Sequence, residues 1–223
     1  MASLKLYYDF MSQPSRSLFI LLQHYNIPFQ PVLTRIGKGE HTTEEFKKIS
    51  KFQKLPAVVD NGFPMIESVA ILRYLAKTQK LPESFYPQNP KEQFKVDEYL
   101  EWQHHNIRYF LSMYFLNKWL IPTRFKKPPN EKAIATSEQQ MVECLNGFEK
   151  VWLARGPFIA GNEVTAADLW AACEVEQPRI CGYDPREGRP TLNAWIERVK
   201  THFNPTYDKV HGPLYKVEQM AKK

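Results

Sequence analysis

Up to about residue 80, apolar positions come in short bursts whose spacing switches between the strand period of two and the helical period. Leu4-Lys5-Leu6-Tyr7-Tyr8 predicts a short strand, and Ser15 to Tyr25 predicts a helix with Leu18, Phe19, Leu22 and Tyr25 on one stripe. Pro28 ends that helix, and Pro31-Val32-Leu33 predicts a second strand. Residues 37–50 read as a loop with a short helical turn. From Ala57 to Ile66 the pattern is a hairpin turning at Asn61-Gly62, followed by a compact apolar helix from Val69 to Leu75. A βαβ unit requires a parallel pair with a right-handed crossover, and the hairpin adds antiparallel strands. The order is that of a thioredoxin-like domain.

Beyond Leu81-Pro82 and Tyr86-Pro87 the spacing becomes helical throughout. Residues 91–121 contain no Pro or Gly, and Phe94, Tyr99, Trp102, Ile107, Phe110, Leu111, Tyr114 and Phe115 recur at helical intervals, which predicts one long helix. Further helices are predicted from Asn130 to Leu153, from Thr165 to Gln177, and after Arg189-Pro190. The expected architecture has two domains: an α+β thioredoxin-like domain over 1–82 and an all-α domain over 90–223.

Composition changes this picture little. The 223 residues are 43% hydrophobic and 24% charged, ordinary for a globular protein. The net charge of +6 and pI near 9.1 invite a nucleic-acid reading. The basic residues are scattered, with only isolated doublets such as Lys47-Lys48 and Lys126-Lys127, so neither nucleic acid nor a membrane surface is the expected partner. Cys144, Cys173 and Cys181 form no regular spacing and no CxxC, which points to a reducing compartment and away from dithiol chemistry. The first residues lack the apolar run of a signal peptide and no segment reaches transmembrane length, so the expected location is the cytoplasm.

Three short segments carry the candidate chemistry. In Asp9-Phe10-Met11-Ser12-Gln13-Pro14-Ser15-Arg16, Pro14 suits a first helical turn, so Ser12 lies just ahead of a helix N-terminus. Free N–H groups and the helix dipole favour negative charge there, and a hydroxyl can donate to a bound thiolate. Spacing alone reads more simply as a helix cap. Pro56, at the mouth of a strand in Lys54-Leu55-Pro56, marks an edge or special turn; with a cis bond, the backbone of Leu55 faces sideways toward a peptide-like ligand. Glu67-Ser68 opens a helix, where Ser68 can hold a carboxylate and Glu67 an ammonium. Each segment by itself also reads as ordinary capping or strand entry. No metal site is visible, since His104 and His105 are adjacent on a helix and diverge by about 100°.

Taken together, these segments closely resemble the cytosolic glutathione S-transferases, in detail the theta class. The matching stretches are Ser12-Gln13-Pro14-Ser15-Arg16, Lys38-Gly39-Glu40-His41, Lys54-Leu55-Pro56, residues 67–72, residues 96–104, Thr165-Ala166-Ala167-Asp168 and Glu187-Gly188-Arg189-Pro190. The resemblance implies that Ser12 stabilises the thiolate, that Arg108 reinforces it, and that His41, Thr42, Lys54, Leu55, Pro56, Glu67 and Ser68 line the glutathione site. It implies glutathione as co-substrate with no other cofactor, a small hydrophobic electrophile as second substrate, and a homodimer. Phe10, Met11, Phe115 and Trp119 would border an electrophile pocket between the domains. Thr165 and Asp168 would be a structural cap. Two departures stand out. Thr42 stands where the family often has a lysine, so one contact to the glycine carboxylate is expected to be missing. Many theta-class members carry a further C-terminal lid helix where this sequence ends at Lys223, so a more open electrophile pocket is expected.

Tyr8 competes with Ser12, because other classes use a tyrosine near the end of the first strand; strand alternation places it with Leu4 and Leu6, so packing is its simpler role. The expected activity is conjugation of glutathione to electrophiles, with glutathione peroxidase activity left open. The rival is a non-catalytic carrier of glutathione or hydrophobic ligands, or an assembly subunit, on the same fold.

Overall fold

The computed structural model describes residues 4–221. Its first part runs β1 (Leu4–Tyr8), α1 (Gln13–His24), β2 (Gln30–Leu33), α2 (Glu44–Lys47), β3 (Ala57–Asp60), β4 (Phe63–Met65) and α3 (Ser68–Thr78). The four strands form one sheet in the order β2-β1-β3-β4. β1 pairs parallel with β2 and antiparallel with β3, and β3 pairs antiparallel with β4. The expected thioredoxin-like plan is the one adopted. At the hairpin, Asn61 and Gly62 both take positive φ, 48° and 84°, the hand that matches the twist of two tightly joined strands.

The register decides where the loops emerge. Tyr8 lies beside Leu33 at the C-terminal ends of β1 and β2, while Tyr7 faces Ala57 at the start of β3 and Val58 faces Met65 at the end of β4. Residues 9–12, 34–36, 55–56 and 66–68 therefore leave the sheet at one end. Beneath them α1 is buried on every side from Gln13 to Leu22, including the Arg16 side chain, and α1 packs against α3. Leu18, Ile20, Leu21 and Leu22 are fully covered, each contributing on the order of 1.5–3 kcal/mol of burial.

The second part comprises α4 (Pro90–Trp102), α5 (Ile107–Phe115), α6 (Ile121–Arg124), α7 (Glu131–Val151), α8 (Ala166–Val175), α9 (Pro190–Phe203) and α10 (Thr206–Ala221). The single helix expected over 91–121 is instead three pieces. Asn106, at φ −121° and ψ −103°, breaks it, and its Nδ2 donates to the Trp102 carbonyl at 2.7 Å. Asparagine competes for its own backbone in this way, a local effect that apolar periodicity cannot register. A π-helical turn at Leu116–Leu120 then separates α5 from α6. α8 is buried along its whole length and is rich in alanine, which lets α4 and α5 approach it closely. An aromatic cluster of Tyr99, Trp102, Phe148 and Trp152 packs in the same unit, with Tyr99 and Trp152 edge to face at 5.1 Å.

By internal packing the chain divides into two compact units. One runs to Leu81 and includes Phe203–Pro213; the other takes Pro82–His202 and the residues from Leu214 on. Residues 203–213, expected with the helical domain, thus belong by packing to the sheet-containing unit, where Phe203 meets the ring of His24 at 4.9 Å. No helix among the described residues is long and apolar enough to cross a membrane.

Candidate active site

Ser12 is the residue before α1, with extended backbone at φ −93° and ψ 119°, yet its hydroxyl makes no capping bond to the helix. The Oγ donates instead to the Leu55 carbonyl at 3.3 Å, across 43 residues of chain. The simpler cap reading of the spacing therefore does not hold. Ser12 is held by its backbone, its N–H donating to the Asp9 carbonyl at 2.9 Å and its carbonyl accepting from the Arg16 N–H at 3.2 Å. Arg16 also donates from its guanidinium to the Phe10 carbonyl at 2.7 Å, so the buried cation fastens the same turn. The hydroxyl sits at the positive end of a twelve-residue helix, and only 8% of Ser12 is exposed.

The Leu55–Pro56 peptide bond is cis. Lys54 is exposed, and its backbone is tied to Ser50, whose hydroxyl accepts from the Lys54 N–H at 3.1 Å and donates to the Lys54 carbonyl at 3.0 Å. Glu67 holds a backbone seldom adopted by non-glycine residues, φ 67° and ψ 103°, and its carbonyl accepts the Ile71 N–H. A conformation of this kind costs on the order of 1–3 kcal/mol and persists where surroundings impose it, often at ligand sites. Ser68 begins α3 directly after it. The same end of the sheet thus collects Ser12, Leu55, Pro56, Glu67 and Ser68.

His41 and Thr42 belong to a short 3-10 turn, Glu40–Thr42, entered through Gly39 in the left-handed region at φ 73°. His41 is half-buried. The Thr42 hydroxyl donates to the Gly39 carbonyl at 2.7 Å and so closes its own turn. Glu40 braces the loop by accepting from the Arg35 N–H at 2.7 Å and the Arg35 guanidinium at 3.1 Å, which holds its carboxyl below the usual range.

Asp9 had no role assigned from the sequence, yet it joins two of these loops. Its Oδ1 accepts from the Met11 N–H at 3.0 Å and its Oδ2 from the Ile36 N–H at 2.8 Å. An aspartate two residues ahead of the accepted N–H is a recognisable turn signal; the bond to Ile36 has no local signature. Tyr8 packs its ring against Phe10 and Phe19 at 4.9 and 5.0 Å. Burial, with help from the Asp9 charge, pushes the Tyr8 phenol above its ordinary value, which makes it a poorer acid and favours its packing role.

In the other unit, Arg108 lies on α5 and forms a 2.6 Å ion pair with Glu174 of α8. Glu174 is almost wholly buried, and its second oxygen has no hydrogen-bond partner. Phe115 and Trp119 bracket the start of the π-helical turn, with rings stacked 5.5 Å apart at 19°. Phe10 and Met11 lie in the first unit beside Ser12. Among the described residues no group of three or more His, Cys, Asp or Glu could hold a metal ion. Burial pushes the Cys144 and Cys181 thiols up to about 12.

Known proteins resemble this chain over most of its length. The glutathione S-transferase N-terminal domain model matches residues 2–77, and the C-terminal domain model matches residues 104–202. The chain is 34% identical to mouse glutathione S-transferase theta-3, covering 97% of this chain and 90% of that protein. It is 36% identical to rat theta-2, over 99% and 91%. A crystal structure of human glutathione transferase theta-2 in complex with glutathione superposes with a TM-score of 0.91 at 34% identity, covering 98% and 90% of the two chains. The chain therefore belongs to the glutathione S-transferase family, in its theta class.

Proposed function

We propose that this protein binds glutathione, lowers its thiol pKa at Ser12, and transfers the thiolate to small hydrophobic electrophiles. The observation that carries the proposal is the Ser12 hydroxyl, which sits at a helix N-terminus without capping it and points to the Leu55 carbonyl. When the cysteinyl segment of glutathione pairs with the Leu55 backbone, its N–H takes over that carbonyl. The Ser12 hydroxyl is then released to donate to the sulfur, so one hydrogen bond is exchanged for another at little cost. The thiol proton leaves to solvent. The sulfur lone pair forms the new S–C bond, and the electrophile either takes up the electrons or expels a leaving group with them.

Glu67 would accept the γ-glutamyl ammonium, and Ser68 would receive its carboxylate at the start of α3. His41, Thr42 and Lys54 would face the glycine carboxylate. Arg108 would add positive potential, reduced by its pairing with Glu174. For the electrophile, the apolar side chains that the unit of Ser12 itself offers are Phe10 and Met11. Glutathione serves as co-substrate, the compartment is cytoplasmic, and the assembly is a homodimer of the kind the family forms.

The test is the ultraviolet thiolate band of bound glutathione against pH. The band is read as the difference between the glutathione complex and the protein alone, so that the protein's own thiols, Cys144, Cys173 and Cys181, cancel. The thiol pKa should be depressed in the wild type and in Tyr8→Phe, and should return toward the free value in Ser12→Ala, with turnover falling tenfold or more, about 1.4 kcal/mol per decade. Glutathione bound without a thiolate band in the wild type would identify a carrier and remove the enzymatic reading.

A further inference from the structure

We propose that Asp9 is a positioning residue for thiol activation. Its carboxylate clamps the loop that carries Ser12 to the loop that leads into the His41 turn. The inference rests on the assignment of Ser12 above.

The carboxylate reaches both loops at once. Oδ1 holds the Met11 N–H at 3.0 Å, one residue before Ser12, and Oδ2 holds the Ile36 N–H at 2.8 Å, 27 residues from Asp9. The Asp9 carbonyl meanwhile accepts the Ser12 N–H at 2.9 Å, so main chain and side chain of one residue grip consecutive peptides. On the far side the clamp meets a segment that is already stiff. The Thr34 N–H continues the β1–β2 ladder to the Tyr8 carbonyl at 2.8 Å, and Glu40 closes the Arg35 loop through two bonds. A displacement of Asp9 would therefore move the Ser12 loop relative to residues 36–41 as a body.

Charge makes the placement informative. A carboxylate three residues from the thiolate-stabilising hydroxyl repels a developing thiolate, so on Coulomb grounds alone it works against the reaction. Two charge-assisted bonds to backbone N–H groups are the compensating feature, and they act on geometry. The two contributions predict opposite signs when Asp9 is replaced. Loss of a clamp misplaces the Ser12 donor and raises the thiol pKa, whereas loss of a bare negative charge lowers it.

The experiment measures the apparent thiol pKa of bound glutathione, kcat, and KM for glutathione in the wild type, Asp9→Asn and Asp9→Ala. Amide hydrogen exchange at Met11 and Ile36 is followed without glutathione. Asn keeps one acceptor oxygen and puts an NH2 against the other N–H, so it should give the smaller effect and retain the fold if Ala does not. Expected in Asp9→Ala are a thiol pKa raised by about one unit, a several-fold rise in KM and a fall in kcat of roughly threefold to tenfold, with faster exchange at both amides. A thiol pKa that falls in both variants makes Asp9 a bare charge and overturns the proposal. An unchanged thiol pKa with a lower Tm makes it merely structural and overturns it as well, as does unchanged exchange at Met11 and Ile36. Faster exchange at both amides, in a protein whose wild type shows no thiolate band, leaves the contact between the two loops but overturns the positioning role together with the Ser12 assignment. A depressed wild-type thiol pKa with unchanged exchange overturns the positioning role alone.

Discussion

Each unit is organised around one helix buried on every side, and the two helices begin differently. α1 follows Ser12 and α8 follows Thr165, both residues in extended backbone and both nearly covered, at 8% and 5% exposure. At α8 the polar groups close on each other. Asp168 accepts from the Thr165 N–H, the Thr165 hydroxyl, the Ile159 N–H and the Trp195 indole, all between 2.9 and 3.1 Å. At α1 the hydroxyl turns away from its own helix to a carbonyl 43 residues distant. A cap that satisfies itself stabilises a fold and has nothing to offer a ligand. A hydroxyl whose bond can be handed to an incoming peptide N–H is available for chemistry.

The comparison can be broken most forcefully at α8. Asp168→Ala leaves a buried indole N–H and two backbone N–H groups without their acceptor, and should cost about 3–5 kcal/mol, or a Tm lower by roughly 10 °C for a chain of this size. Thermal unfolding checks this, and the thiol pKa of glutathione bound to the remaining folded protein should stay at the wild-type value. Arg108→Ala strands the buried Glu174 carboxylate and should cost about 2–4 kcal/mol, the lower part of the range because Arg108 is itself one-third exposed. Denaturant unfolding measures it, and partial recovery in Arg108→Ala/Glu174→Gln would confirm the stranded charge as the cause.

Smaller effects sharpen the contrast. Thr165→Ala should lose about 0.5–2 kcal/mol, the usual worth of a cap, with kcat unaltered. Ser12→Ala should do the reverse, shifting stability by less than about 1 kcal/mol while turnover collapses. Equal losses of stability in these two variants would mean that the Ser12 hydroxyl is structural after all, and the distinction between the two helix starts would disappear.

What could be read in advance was whatever is enforced by neighbours in the chain. The strand and helix periods of β1, α1 and α3, the Asn61-Gly62 turn and the Thr165–Asp168 cap all depend on residues within a few positions of one another. The resemblance to the family is likewise carried by short local segments, SQPSR, KLP and ES in the first domain and residues 96–104, 165–168 and 187–190 beyond it. Even locally the reading failed at Asn106, where a side chain competing for the Trp102 carbonyl outweighs the apolar stripe that continues through it.

Tertiary structure alone decided the direction of each polar group whose partner lies far along the chain. Spacing cannot tell whether Ser12 caps its helix or meets Leu55, since that depends on the β1–β3 register that sets Tyr7 beside Ala57. Nor can it show that Asp9 reaches Ile36, which follows from the parallel pairing of β1 and β2. The ion pair of Arg108 with Glu174 and the packing of 203–213 with the sheet-containing unit are of the same kind. A hydrogen bond contributes about 0.5–3 kcal/mol, and only while donor and acceptor stay within about 3.5 Å; a sequence fixes such distances over one or two helical turns, while over forty residues only the packed core does.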